Sequence, residues 1–194
     1  MTIRLFAMTS GYVTTSLGNL MEGAEGEAEL PIPCYLIEHP KGRMLFDTGM
    51  HPDCQSDPAR RYGPRLPSMF QFNYKPGDEV SAKLEAIDRD PAKVDLVINS
   101  HLHFDHAGNF PAFPAARFHL QDFEMGYATG PCMADHNQNH FFEPDDIRAA
   151  LGALYQGRLQ FHRGDAGIAS GSMFPSLAVP SGAHPLPQIG RAHV

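Results

Sequence analysis

The chain has little of what would place it in a specialised class. Basic residues are outnumbered, with Lys+Arg 15 against Asp+Glu 22 and a formal net charge of -7. No basic stripe stands out, so nucleic acid is not expected as a partner. Long apolar runs are missing as well. Val94 to Ile98, interrupted by Asp95, falls far short of the roughly 18–20 residues a membrane helix needs, so no membrane span is expected. The cysteines number only 3, and Cys34, Cys54 and Cys132 are spaced too widely for a disulfide framework or a Cys-x-x-Cys pair. They read as reduced structural thiols of a cytoplasmic protein. The N-terminal stretch from Met1 to Gly11 is broken too soon by polar residues to read as a signal peptide. Internal repeats and low-complexity tracts are lacking. What remains, 194 residues at 42% hydrophobic and 19% charged, fits one globular domain with its own core.

The pattern along the chain is of short strands early, then strands mixed with helices, which predicts an α/β or α+β layout. Ile3 to Met8 reads as a strand. Ile32 to Glu38 and Arg43 to Asp47 read as a hairpin turning at Pro40-Lys41-Gly42. The acidic, Gly-rich segment from Glu22 to Glu29 reads as an exposed loop. His51 to Lys75 shows no periodicity and reads as a long surface excursion that frames a site. Within it, Met69, Phe70, Phe72 and Tyr74 suit either an acyl-chain pocket or ordinary packing. Asp78 to Ile87 carries Val80, Leu84 and Ile87 at helical spacing and stops before Pro91, so an amphipathic helix is expected. Val94 to Asn99 reads as a buried strand.

Directly after that strand comes His101-Leu102-His103-Phe104-Asp105-His106-Ala107-Gly108, which holds three of the chain's 11 histidines. In an extended segment, residues two apart point the same way, so His101 and His103 can offer imidazoles to one metal. Asp105 and His106 then face a second position. Nitrogen and oxygen donors without a thiolate favour zinc or another borderline ion such as Mn, Fe or Co. Such an ion lowers the pKa of its water from about 15.7 to near 7, which implies metal-assisted hydrolysis. His39, His51, His119, His136, His140 and His162 stand alone in sequence and read as surface or core residues. Asp47-Thr48-Gly49 reads either as a turn or as a carboxylate that orients a ligand histidine.

The segment from Ser100 to Asn109 resembles the signature of the metallo-β-lactamase superfamily, in the form carried by N-acyl-homoserine lactonases. Ile32 to Pro40 with Gly42 to Gly49 resembles that group's N-terminal hairpin, and Gly164-Asp165 with Gly171 its later approach to the next ligand. The resemblance implies an α+β fold, a metallo-β-lactamase-like αβ/βα sandwich missing part of its second half. The resemblance spans about residues 3 to 171, and the expected domain covers 1–171, followed by an atypical Pro-rich tail over 172–194. It also implies two zinc ions, His101 and His103 on the first and Asp105 and His106 on the second. A bridging hydroxide would attack a lactone carbonyl, and Asp105 would help move a proton to the leaving alkoxide. A small-molecule lactone is the implied partner, and quorum quenching the implied role.

The family's third histidine sits in a Gly-Gly-His type turn. His184, in Ser181-Gly182-Ala183-His184, stands at a plausible distance to supply it. The family's bridging aspartate has no counterpart, because no acidic residue follows Asp165, and four prolines fall in the last 24 positions. A frameshift or truncation after about Gly171 is the expectation. The alternatives are a thioesterase or glyoxalase II-like hydrolase, which would share the histidine cluster, and a non-catalytic metal-binding fragment.

Overall fold

A computed structural model describes residues 2–164 and two short paired strands beyond them, Ala166–Gly167 and Ala178–Val179. His184 and the rest of the tail lie outside the described residues.

Seven strands form one sheet: β1 (Arg4–Ser16), β2 (Glu27–His39), β3 (Gly42–Phe46), β4 (Phe70–Asn73), β5 (Leu96–Ile98), β6 (Arg117–Gln121) and β7 (Leu159–His162). Their order is β4-β1-β2-β3-β5-β6-β7. The half from β4 to β3 is antiparallel, and β3, β5, β6 and β7 run parallel. The fold class is therefore α+β. The hairpin follows the sequence reading, with Leu36 opposite Leu45 and His39 opposite Gly42.

Two stretches differ from expectation. The first strand runs on past Met8 because its pairing with β2 resumes after a bulge between Thr9 and Tyr12. That pairing draws Glu27, Ala28 and Glu29 into β2, with both glutamates on the solvent side. The excursion from His51 to Lys75 is also more ordered than its lack of periodicity suggests. It contains α1 (Pro58–Tyr62), α2 (Arg65–Met69) and β4. Elements of four or five residues are too short to show a period, and local chemistry sets them instead: Asp57 caps α1 by accepting from the Arg60 N–H at 3.2 Å.

The predicted amphipathic helix appears as α3 (Val80–Glu85), with Val80 and Leu84 fully buried. Three further helices follow: α4 (Asp122–Ala128), α5 (His136–Asn139) and α6 (Pro144–Tyr155). Pro144 opens α6 and Glu143 caps it through the Asp145 N–H. Its end is a Schellman turn, in which Arg158 N–H donates to Ala153 O and Gly157 N–H to Leu154 O. Gly157 sits at φ 71°, a conformation that favours glycine.

The main core lies between one sheet face and the helices. Cys34, Leu36, Leu45, Val97, Phe118 and Leu120 from the strands meet Leu84, Ile147 and Ala150 there. A second core gathers the 51–75 segment around Phe104, with Phe70 and Tyr74 buried in it. Arg61 on α1 ties this segment to α6, its Nη2 donating to Asp146 Oδ1 at 2.5 Å. Among the described residues no helix is long and apolar enough to cross a membrane.

At the sheet end away from β5's outlet, Glu38 accepts from Arg89 Nε at 2.6 Å and also pairs with Arg4 and Arg43. The Arg89 hydrogen bond leads the effects that hold its carboxyl below the usual glutamate range. A depressed native pKa gives stability that is present above the unfolded value and lost as pH falls through the native one. Glu38→Gln is therefore expected to cost about 1–3 kcal/mol at neutral pH. In urea unfolding, the gap to wild type should close as pH falls below the glutamate range.

Candidate metal centre

The buried strand β5 ends at Ile98, and the chain then leaves the sheet through Asn99 and Ser100. From His101 to His103 it alternates as the sequence predicts. Leu102 is fully buried in the main core, while His101 and His103 are half-buried on the other side. The extended course then stops. His106 N–H and Ala107 N–H both donate to His103 O, at 3.0 and 2.9 Å, and this tight turn swings Asp105 and His106 back toward the first two histidines.

The turn is fastened from several sides. Leu102 N–H donates to Glu124 Oε1 of α4 at 2.9 Å, and Phe104 N–H to Phe141 O at 2.9 Å. Gly108 N–H donates to Gly49 O at 2.9 Å, in a crossing so close that a Cβ on Gly108 would stand 2.5 Å from His51 N. Only glycine fits there. Burial pushes the Glu124 carboxyl up, and the Leu102 N–H opposes that shift. Phe104, between His103 and Asp105, packs against Tyr62 at 5.0 Å and Phe72 at 5.8 Å, so the aromatic segment forms a wall of packed rings behind the turn.

Ligand-type atoms of His101, His103 and Asp105 all lie within 4.8 Å of one another, the one such group among the described residues. His106 stands at its edge, with Nε2 3.4 Å from Asp105 Oδ2. Burial, aided by His106, lowers His101 to about 4, and burial with His101 lowers His103 to about 3. Both rings are thus neutral near pH 7 and carry lone pairs. Burial works against ionising Asp105, yet its hydrogen bond to His106 and the neighbouring histidines hold the carboxyl below its usual range. Burial also opposes a charge on His106, but the Asp105 and Asp47 carboxylates raise it to about 10. Neutral imidazoles beside a carboxylate make a donor set that suits a divalent ion of the zinc type.

Asp47 resolves the alternative left by the sequence in favour of orientation. It is buried at φ 62°, and Oδ1 accepts from Ser100 N–H at 2.7 Å. Its Oδ2 lies 2.8 Å from both Ser100 Oγ and His106 Nδ1. Ser100 Oγ in turn lies 2.9 Å from His101 Nδ1. Glu124 carries no signal in sequence, and Ser100 enters only as the first residue of the resembling segment; the contacts of both appear once the fold brings Asp47 and α4 to the turn. The two histidines His119 and His162 are not isolated. Their Nδ1 and Nε2 meet at 2.7 Å across β6 and β7, an approach hidden by their separation of 43 positions.

The chain is 33% identical over 131 residues to the N-acyl homoserine lactonase AttM of Azorhizobium caulinodans, covering 66% of this chain and 49% of that one. It is 34% identical over 105 residues to an N-acyl homoserine lactonase of Bacillus cereus, covering 52% and 37%. The chain spans about half the length of the curated relatives it matches. Among solved structures, the fold is similar to an N-acyl homoserine lactone hydrolase with N-hexanoyl-L-homoserine at its catalytic metal center, with TM-score 0.69 and 22% identity over 88% of this chain and 64% of that one. It is also similar to AidC, a dizinc quorum-quenching lactonase, with TM-score 0.59 and 16% identity over 87% and 60%. The model of the metallo-beta-lactamase superfamily matches residues 28–187. With most of its length so matched, this chain belongs to the metallo-beta-lactamase superfamily.

Proposed function

We propose that this chain is a zinc-dependent hydrolase that opens the lactone ring of N-acyl homoserine lactones. The convergence of His101, His103 and Asp105 within 4.8 Å carries this reading. The names of the relatives support the substrate class. His101 and His103, joined by His184, would hold one ion, and Asp105 with His106 a second. Mn, Fe or Co would suit the same donors. A bound divalent ion lowers the pKa of a water to near 7 and polarises a carbonyl oxygen.

The remaining chemistry belongs to the chain's own residues. As water adds to the lactone carbonyl and the ring C–O bond breaks, the departing alkoxide needs a proton, and Asp105, whose carboxylate helps keep a proton on the adjacent His106 ring 3.4 Å away, would help move one to it. Asp47 and Glu124 keep the turn in place behind it. Cys34 and Cys54 are buried free thiols, which accords with a reducing cytoplasmic setting.

A second reading, a fragment that binds one ion without turnover, is favoured by a specific observation: the described residues form a single group of three ligand donors. Zinc content measured with hydrolysis of a medium-chain N-acyl homoserine lactone separates the two. About two equivalents with turnover support the lactonase, and one or none without turnover supports the fragment.

A further inference from the structure

Ser100 makes contacts on both sides, and hydrogen-bond inventory fixes what each must be. Its Oγ is 2.8 Å from Asp47 Oδ2 and 2.9 Å from His101 Nδ1, and stands at a longer 3.4 Å from His106 Nδ1, whose nearer partner is Asp47 Oδ2 at 2.8 Å. A serine hydroxyl has one hydrogen, and a carboxylate only accepts. The hydrogen therefore goes to Asp47, because otherwise two oxygen lone pairs would face each other at 2.8 Å. With that hydrogen committed, Ser100 Oγ meets His101 as an acceptor. The proton between them then belongs to His101, on Nδ1.

A neutral imidazole carries one N–H, so a proton on Nδ1 leaves the lone pair on Nε2. The same Asp47 Oδ2 accepts from His106 Nδ1 at 2.8 Å, and so turns the Nε2 of that ring toward Asp105, 3.4 Å away. The backbone strengthens the arrangement, because Ser100 N–H donates to the other Asp47 oxygen at 2.7 Å and locks the serine against the carboxylate. One buried carboxylate thus reaches two histidines, His106 directly and His101 through a hydroxyl.

We propose that Ser100 is a positioning residue that relays Asp47 to His101 and fixes the Nδ1–H tautomer, leaving His101 Nε2 free for the metal. This deepens the metal-centre reading above and rests on it, since an Nε2 lone pair matters only if a cation is bound there. Loss of the relay would let His101 populate the opposite tautomer, in which Nε2 carries hydrogen and cannot ligate. Asp47 would still hold His106, so the two ring positions would become unequal.

The test uses the full chain in its metal-free form, with the His101 tautomer read from ¹⁵N shifts of the ring nitrogens by NMR. Wild type is expected to show the Nδ1–H form. Ser100→Ala should shift His101 toward Nε2–H, leave His106 unchanged and weaken zinc binding by about 10–100-fold. Ser100→Thr, which keeps the hydroxyl, should restore both. An unchanged His101 tautomer in Ser100→Ala would overturn the proposal, as would failure of Ser100→Thr to restore it. Lactone turnover plays no part in the NMR readout. An inactive chain with the expected tautomer shift would remove the lactonase reading and leave the relay standing.

Discussion

His103→Ala is expected to lower lactone hydrolysis at least about 100-fold and to remove the metal that His101 and His103 would share. Removing a residue that only orients a ligand costs about 10–100-fold in affinity or activity, and removing the ligand itself should cost no less. The His103 ring is neutral and half-buried, wedged against Phe141 at 5.1 Å and Phe142 at 4.8 Å. These neighbours would not supply a replacement donor. The turn should survive the substitution, because Leu102 and Phe104 anchor it through Glu124 and Phe141. Metal content and turnover should therefore fall together while the far-ultraviolet circular dichroism is preserved. Turnover that persisted in His103→Ala would show that the cluster is not the reacting centre.

Arg61→Met is expected to produce the largest loss of stability, about 3–5 kcal/mol in urea unfolding at pH 8. Arg61 pairs with Asp146 at 2.5 Å, and their side chains are only 13% and 3% exposed. Burial dominates at Asp146 and raises its carboxyl to about 7 even with the guanidinium beside it. Without Arg61, Asp146 must at pH 8 either stay ionised and uncompensated in the interior or take up a proton that the unfolded chain does not bind, and both cost stability. The cost should shrink at pH 5.5, where Asp146 takes up a proton and buries no charge. Arg61→Met combined with Asp146→Leu should recover most of the loss, since replacing both partners with apolar groups removes the stranded charge. If the single variant were as stable as wild type at pH 8, the link from α1 to α6 would contribute nothing.

What the sequence discloses is what proximity in sequence can disclose. His101, His103, Asp105 and His106 stand within six positions, so their chemistry is legible without a fold. The hairpin around Pro40-Lys41-Gly42 and the helix bearing Val80 and Leu84 are legible for the same reason, being periodic over their own short lengths. Asp47 is half legible: its place at the end of a strand suits a turn or an orienting carboxylate, and only the packing of β3 against β5 brings it to Ser100 and His106. Glu124 is illegible because its one relevant contact crosses to a different element. The pairing of His119 with His162 depends on the register of β6 and β7, which no local pattern encodes. The segment from His51 to Lys75 misleads because its order comes from caps and aromatic packing, neither of which leaves a period.

The most direct test of the metal-dependent hydrolase reading is removal and return of the ion from the purified chain, with hydrolysis of a medium-chain N-acyl homoserine lactone as readout. Chelation should abolish turnover, and zinc should restore it in proportion to the metal bound. Turnover that survives complete removal of metal, or a zinc-loaded chain that opens no lactone, would contradict it.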